Sequence, residues 1–187
     1  MEYFTSDWHI SHINILKYCN RPFENIRDMD DTIFTNAFAR LKSGDLLYYL
    51  GDLSFDKAAT HEFFGRMSKR NVQVHFIYGN HDYKVKSIID EKSAWTGDFK
   101  SIKVKNENIS LMHYAMRVWP KSHFNAWHLY GHSHGGLSHD TGVSTGKTWD
   151  VGVDNNDFQI LSFDEVEAIM AGRPDNFNLV DRSDRER

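Results

Sequence analysis

Short apolar runs, each ending in a polar cluster often marked by glycine, constrain this chain more than any bulk property. Residues 2–6 (EYFTS), 46–50 (LLYYL) and 72–78 (VQVHFIY) have the length and the aromatic or β-branched content of strands. Between them lie two stretches with helical spacing. Residues 29–42 put Ile33, Phe34, Ala37, Phe38 and Leu41 on one face, with Asp30 or Asp31 to cap the start and Gly44 to close the end. Residues 56–70 supply the second helix. Strand, helix, strand, helix, strand is the order of an α/β fold with a largely parallel core.

The second half has another rhythm. Residues 99–104 and 108–113 flank a Lys-Asn-Glu turn, as in an antiparallel hairpin, and residues 128–131, 148–154 and 158–162 read as further strands. Ser162 and Glu165 have capping-box spacing, which predicts a last helix over 163–172. The closing DRSDRER is charged and expected to fray. With no repeat, linker or low-complexity stretch, the expectation is one domain over residues 1–175 and a charged tail over 176–187.

Composition narrows the function classes. A chain of 187 residues with 40% hydrophobic and 26% charged residues can bury an ordinary core without disulfides. The net charge of −4 creates no global basic field, so neither long nucleic acid nor an anionic membrane is the expected partner. The single cysteine, Cys19, excludes a disulfide framework and thiolate-rich zinc sites, and reads as a small packed residue. No charged segment followed by an apolar run opens the chain, and no stretch is long enough to span a bilayer. A cytoplasmic location is the expectation.

The polar clusters fall where predicted strands end. Asp7 and His9 follow the first, Gly51-Asp52 the second, Gly79-Asn80-His81-Asp82 the third, His113 the ISLM run and Gly131-His132-Ser133-His134 the HLY run. In open α/β sheets, ligands collect beyond the carboxyl ends of strands, so these groups would converge on one rim. A glycine before several of the polar groups would let the backbone turn sharply there. Asp7, His9, Asp52, Asn80, His113, His132 and His134 are too many donors for one tetrahedral ion and suit two ions sharing a carboxylate. Mixed nitrogen and oxygen ligands without thiolate fit Mn, Fe, Zn, Co or Ni. A pair of ions can clamp the attacking and leaving oxygens of a phosphoryl centre.

Taken in order, DWH, GDL, GNHD, His113 and GHSH resemble the five blocks of the calcineurin-like metallophosphoesterase superfamily, from about residue 4 to residue 164. HINILKYCNRPF and WDVGVDNN make the chain most similar to a small bacterial and phage branch. The resemblance implies a four-layer α/β/β/α sandwich of mixed sheets with a dinuclear metal site at the strand C-terminal rim. It implies that Asp7, His9 and His134 hold a first divalent ion, that Asn80, His113 and His132 hold a second, and that Asp52 bridges them. Manganese is the favoured ion, with Fe, Zn, Ni, Co or Mg as alternatives. His81 matches the histidine over the leaving group, and Asp82 the acid that orients it.

The implied reaction is hydrolysis of a phosphodiester or phosphomonoester by a metal-bridging hydroxide, with His81 assisting the departing oxygen. The absence of a visible cap suggests an open site for a nucleotide, a cyclic phosphodiester or a nucleic-acid end. Self-association is left open. The alternative is a non-catalytic metallophosphoesterase-like binding module. That reading predicts a missing ligand or a large apolar patch over the rim, and no ligand is missing.

Other residues have weaker claims. His12 either touches the substrate phosphate or caps the segment after it. Asn14, Arg21 and Arg117 are phosphate-contact candidates, since an arginine fork suits phosphate, and each arginine could equally be a solvated surface group. Tyr114 lines the site or packs. His61, His75, His123, His128 and His139 match no block; His75 and His128 are expected packed or half-exposed, and His139 solvent-facing. Trp95, Trp119, Trp127 and Trp149 are expected in the core or at its rim. Asp150 and Asp154 are expected to support the ligands. Trp8 and Ala115 depart from the family's usual residues and are expected to reshape the substrate side.

Overall fold

The computed structural model describes residues 1–137 and 145–180. His139 and the charged residues 181–187 lie outside the described residues. The first sheet has the order β4-β3-β2-β1-β9. Its parallel strands are β1 (Glu2–Thr5), β2 (Leu46–Tyr49), β3 (Gln73–Ile77) and β4 (Trp95–Gly97), with β9 (Leu161–Ser162) antiparallel beside β1. Alternation divides the side chains between two cores, as a sheet covered on both faces requires. Tyr3, Leu47, Tyr49, Val74 and Phe76 face one core; Phe4, Tyr48, Leu50 and Ile77 face the other.

Helices build the first core. Ile15 of α1 (Ile15–Tyr18), Met29, Ile33, Phe34 and Ala37 of α2 (Ile26–Arg40), Phe63, Phe64 and Met67 of α3 (Lys57–Lys69), and Ile88 and Ile89 of α4 (Lys86–Lys92) are all buried there. A second sheet, of order β5-β6-β7-β8, packs on the other core. The hairpin of β5 (Phe99–Val104) and β6 (Glu107–Met112) is antiparallel; β7 (Trp127–Tyr130) and β8 (Thr148–Asp150) continue parallel to β6. Ile109, Leu111, Trp127 and Leu129 meet Phe163, Val166 and Met170 of α5 (Phe163–Ala171) between the sheets. On the other side of β7, the irregular chain before it buries His128: Trp119 lies 5.3 Å away, and Met116 N donates to its Nε2.

Local chemistry shifts several expected boundaries. Asn25, not Asp30 or Asp31, caps α2 by accepting from Asp28 N, so the helix starts three residues early. Asp30 accepts from Ser11 N instead. Gly44 has φ +89° in the turn before β2, beyond the helix end at Leu41. The capping box forms at Ser162 and Glu165. The last two expected strands are shorter, because a 3-10 turn, Val153–Asn155, interrupts the chain after β8. The elements α1, α4 and β4 are too short for periodicity to announce. Residues 176–180, expected in the tail, stay attached: Asn176 is buried and its amide donates to the carbonyls of Ser122 and Ala126. No described helix is long and apolar enough to cross a membrane.

Candidate metal centre

The two sheets bring their strand C-termini together. A parallel bridge joins Ser6 to Gly152, and Ser6 Oγ donates to Leu50 O. Along this seam the polar residues of five strand ends form two groups. Asp7, His9 and His134 present ligand atoms within 4.8 Å of one another, and so do Asp52, His113 and His132. Asp52 Oδ2 faces both: it lies 3.6 Å from His9 Nε2 and 3.5 Å from His113 Nε2. Asn80 Oδ1 is 3.3 Å from His113 Nε2, which adds it to the second group. The structure thus brings together all seven expected ligands.

The residues fit divalent ions. Asp7 Oδ1, His9 Nδ1 and His9 Nε2 are buried and have no hydrogen-bond partner. Buried polar atoms are nearly always satisfied, so orphaned donors aimed at a carboxylate cluster call for a cation. Ligands about 2.1 Å from one ion sit roughly 3.0–3.5 Å apart, near the spacings here. The imidazoles are also preset. His113 Nδ1 is 2.7 Å from Leu50 O and His134 Nδ1 is 2.6 Å from Asp154 Oδ2, so each ring donates from Nδ1 and presents Nε2. Asp7 Oδ2 accepts from His132 N across the seam.

Burial and neighbouring charges shift the groups of this cluster in opposite directions. Burial pushes Asp7 up to about 7. Burial would also raise Asp52, but the hydrogen bond and charge of His113 hold it at about 2. Burial works against protonation of His113, yet Asp52 and Asp7 raise it to about 9. Burial likewise opposes His134, and Asp154 and Cys19 raise it to about 10. Burial drops His9 to about 2. An ion bound at this cluster would displace protons from His113 and His134, which neighbouring carboxylates favour in the charged form.

Supporting residues account for the geometry. Asp150 is buried and accepts from Ser133 Oγ, Gly135 N and Gly152 N, which pins the GHSH loop. Asp154 orients His134 and takes a two-pronged ion pair from Arg21. Two glycines are required for space: a Cβ on Gly79 would sit 2.1 Å from Asp52 Oδ1, and one on Gly131 would sit 2.0 Å from Ser6 Oγ.

Several expectations need correction. Arg21 is not available to a phosphate: it is buried, and besides Asp154 it donates to the carbonyls of Asp7 and Trp8. Asp82 does not orient His81. Its carboxylate accepts from the amides of Gly79, Asp52 and Leu53, and so ties the second and third strand ends together. Trp8 turns into the first core against Phe34, Tyr49 and Phe63, away from any substrate. Asn14 and Arg117 are exposed, and Arg117 stacks on Phe177 at 3.4 Å. His12 and Tyr114 do border the site. The His12 ring is 5.5 Å from His9, and Tyr114 is 4.7 Å from His132, with its hydroxyl donating to Asn80 Oδ1.

Sequence reasoning passed over two neighbours. Cys19 lies within ligand distance of His134 and Asp154, and Phe55 packs on His81 at 4.5 Å. Only Phe55 had a signal, an aromatic placed just after the Gly-Asp-Leu block.

The family model described as Calcineurin-like phosphoesterase matches residues 3–177. An uncharacterized protein of Methanocaldococcus jannaschii is 33% identical over 132 residues, 71% of this chain and 68% of that one. The crystal structure of a protein of unknown function from Aquifex aeolicus superposes with a TM-score of 0.72 at 26% identity, covering 90% of this chain and 98% of the other. The family match runs through both sheets and the strand ends that carry the candidate ligands: this chain belongs to the calcineurin-like phosphoesterase family.

Proposed function

We propose that this protein is a phosphoesterase dependent on two divalent ions, manganese favoured, acting on a phosphodiester or phosphomonoester. The observation that carries the reading is the pair of histidine–carboxylate groups sharing Asp52, with buried ligand atoms left unpartnered. Asp7, His9 and His134 hold one ion; Asn80, His113 and His132 hold the other; Asp52 serves both. Ions bound there acidify water and neutralise phosphoryl oxygens.

The chain's own groups do the rest. Leu50 O and Asp154 keep Nε2 of His113 and His134 turned inward. His81 stands at the mouth, with a third of its side chain exposed and Nε2 3.8 Å from Asp52 Oδ2. From there a ring N–H can donate to the departing oxygen. Phe55, His9 and His12 are rings packed beside it. Asp82 acts only by setting the backbone that carries Asp52 and Gly79. Nucleotides, cyclic phosphodiesters and nucleic-acid ends are the favoured substrates, since the site mouth is open, and His81, placed to help an alkoxide leave, favours a diester.

The test is hydrolysis of bis-p-nitrophenyl phosphate and p-nitrophenyl phosphate by metal-stripped protein given Mn, Zn, Ni or Mg in turn. Turnover should require added metal and fall at least about 1,000-fold in Asp52→Asn, the scale of losing a charge-stabilising group. Two bound ions without turnover on any ester would favour the binding-module reading instead.

A further inference from the structure

The rim of the metal centre is asymmetric. On one side stand Tyr114 and His132. On the other, beside His9 and His81, runs a continuous wall of rings. Phe55 packs edge-on against His81 at 4.5 Å and His12 at 5.0 Å, and His12 meets Tyr18 at 6.3 Å. Tyr18 is 75% exposed and Tyr83 66% exposed, which leaves large apolar surface in water beside a polar cleft. Lys84 Nζ lies 5.7 Å from both the Phe55 and the Tyr83 rings, and none of the described ion pairs involves it. His12 Nδ1 is buried without a partner.

An aromatic wall, an uncommitted ammonium and an unpaired ring nitrogen have a shared meaning. Rings accept flat heteroaromatic groups by stacking, regardless of sequence, and a lysine beside them attracts an anionic extension. An unpaired imidazole nitrogen offers a hydrogen bond to a ring edge or a sugar hydroxyl. A phosphate ester without a flat ring can use the lysine and the imidazole, but it leaves the aromatic wall unused.

We propose that Phe55, with His12, Tyr18 and Lys84, forms a nucleobase subsite, so that the substrate is a nucleotide or nucleotide-like ester seated on the His81 side of the metals. The proposal rests on the phosphoesterase reading and narrows its substrate class. Phe55 is the central element, since it touches both His81 and His12 and lies under Lys84. The wall cannot be explained by fold stability alone, because Tyr18 and Tyr83 remain mostly in solvent and pack into neither core.

The experiment is calorimetric titration of the manganese-loaded protein with adenosine 5′-monophosphate and with ribose 5-phosphate, which differ only by the base. Ester hydrolysis is followed separately. The wild-type protein should bind the nucleotide about 10-fold more tightly, the scale of one base stacked on one ring. Phe55→Leu should bring the ratio close to one, and Lys84→Ala should weaken both ligands. Phe99→Leu, which removes an exposed ring on the hairpin far along the chain, should keep the wild-type ratio. Equal affinities in the wild-type protein would overturn the subsite while hydrolysis of simple esters left the phosphoesterase reading standing. A Phe55→Leu protein that loses both ligands equally would also overturn it, by showing that the ring only props His81. Absence of both sugar-phosphate binding and hydrolysis would remove the phosphoesterase reading, and the subsite with it.

Discussion

Five of the seven candidate ligand residues hold a backbone conformation that side-chain-bearing residues seldom adopt. Asp7, His9, Asp52, His132 and His134 have φ between 47° and 67°. Each such residue costs about 1 kcal/mol or more, and Asp, Asn and His tolerate the region best. The surrounding hydrogen bonds enforce it: Asp7 N donates to Gly51 O and His9 N to Asp52 O, so one strand end clamps the next. Side chains thereby turn inward from consecutive strand ends instead of alternating. At this scale Asp154 is the residue to change. Its Oδ2 orients His134 and its other oxygen anchors buried Arg21. Asp154→Asn should weaken metal binding about 10- to 100-fold, the usual effect of removing a carboxylate behind a ligating histidine. Competition with a chromogenic chelator measures this, and an unchanged affinity would show that Leu50-type backbone support is sufficient. The aspartate's support was legible from the GVD stretch; the partnership with Arg21 was not, since 133 residues separate them.

Among the elements, the parallel strands do the positioning and the second sheet bears the hidden cost. β7 illustrates it: Trp127 and Leu129 pack inward, while His128 is fully buried on the opposite face. Its Nδ1 meets Ser110 O at 3.0 Å and its Nε2 accepts from Met116 N. Burial pushes its pKa down from 6.5 to about 4. The sign follows directly. Between pH 6.5 and 4 the unfolded chain takes up a proton that the folded chain refuses, so this histidine makes stability fall as pH falls. The loss amounts to about 1.4 kcal/mol per pH unit at most and is complete near pH 4. Above pH 6.5 it contributes no slope. Urea unfolding at pH 7.5, 5.5 and 4.5 should show a shallower decline for His128→Gln than for the wild-type protein; parallel declines would place the acid sensitivity elsewhere.

Across the whole molecule, the metals would act as a clasp. Asp7, His9, Asp52 and Asn80 come from the first sheet, and His113, His132 and His134 from the second. Ions bound only by the folded state stabilise it by about 2.7 kcal/mol each at a hundredfold excess over the dissociation constant. For a chain of this size that corresponds to roughly 5–10 °C in Tm per ion. Chelation should therefore lower Tm by at least that much, with amide-exchange protection lost first at 6–10, 51–53 and 131–136 and last in α2. A Tm indifferent to chelator would argue that the sheets are clasped by Ser6, Gly152 and the inter-sheet core alone.

Periodicity and turn chemistry act over a few residues, and so the sequence alone determined the long elements, the capping box at Ser162, the α/β class and the placing of seven candidate ligand residues at strand ends. The family blocks are local too: each needs only a strand followed by a turn. Tertiary structure decided the rest, because it depends on partners far apart in sequence. Arg21 looked like a phosphate ligand until Asp154 and two carbonyls consumed its donors. Asp82 stood next to His81 in sequence, yet its carboxylate was claimed by amides thirty residues earlier. Trp8 lies between Asp7 and His9 of the candidate metal centre and still faces the core, since β1 has delivered it to the helical side of the sheet. The ring wall of Phe55, His12 and Tyr18 exists only because the loops after β1 and β2 meet. Ligand identity is a property of local pattern; which donors remain free for substrate is a property of packing.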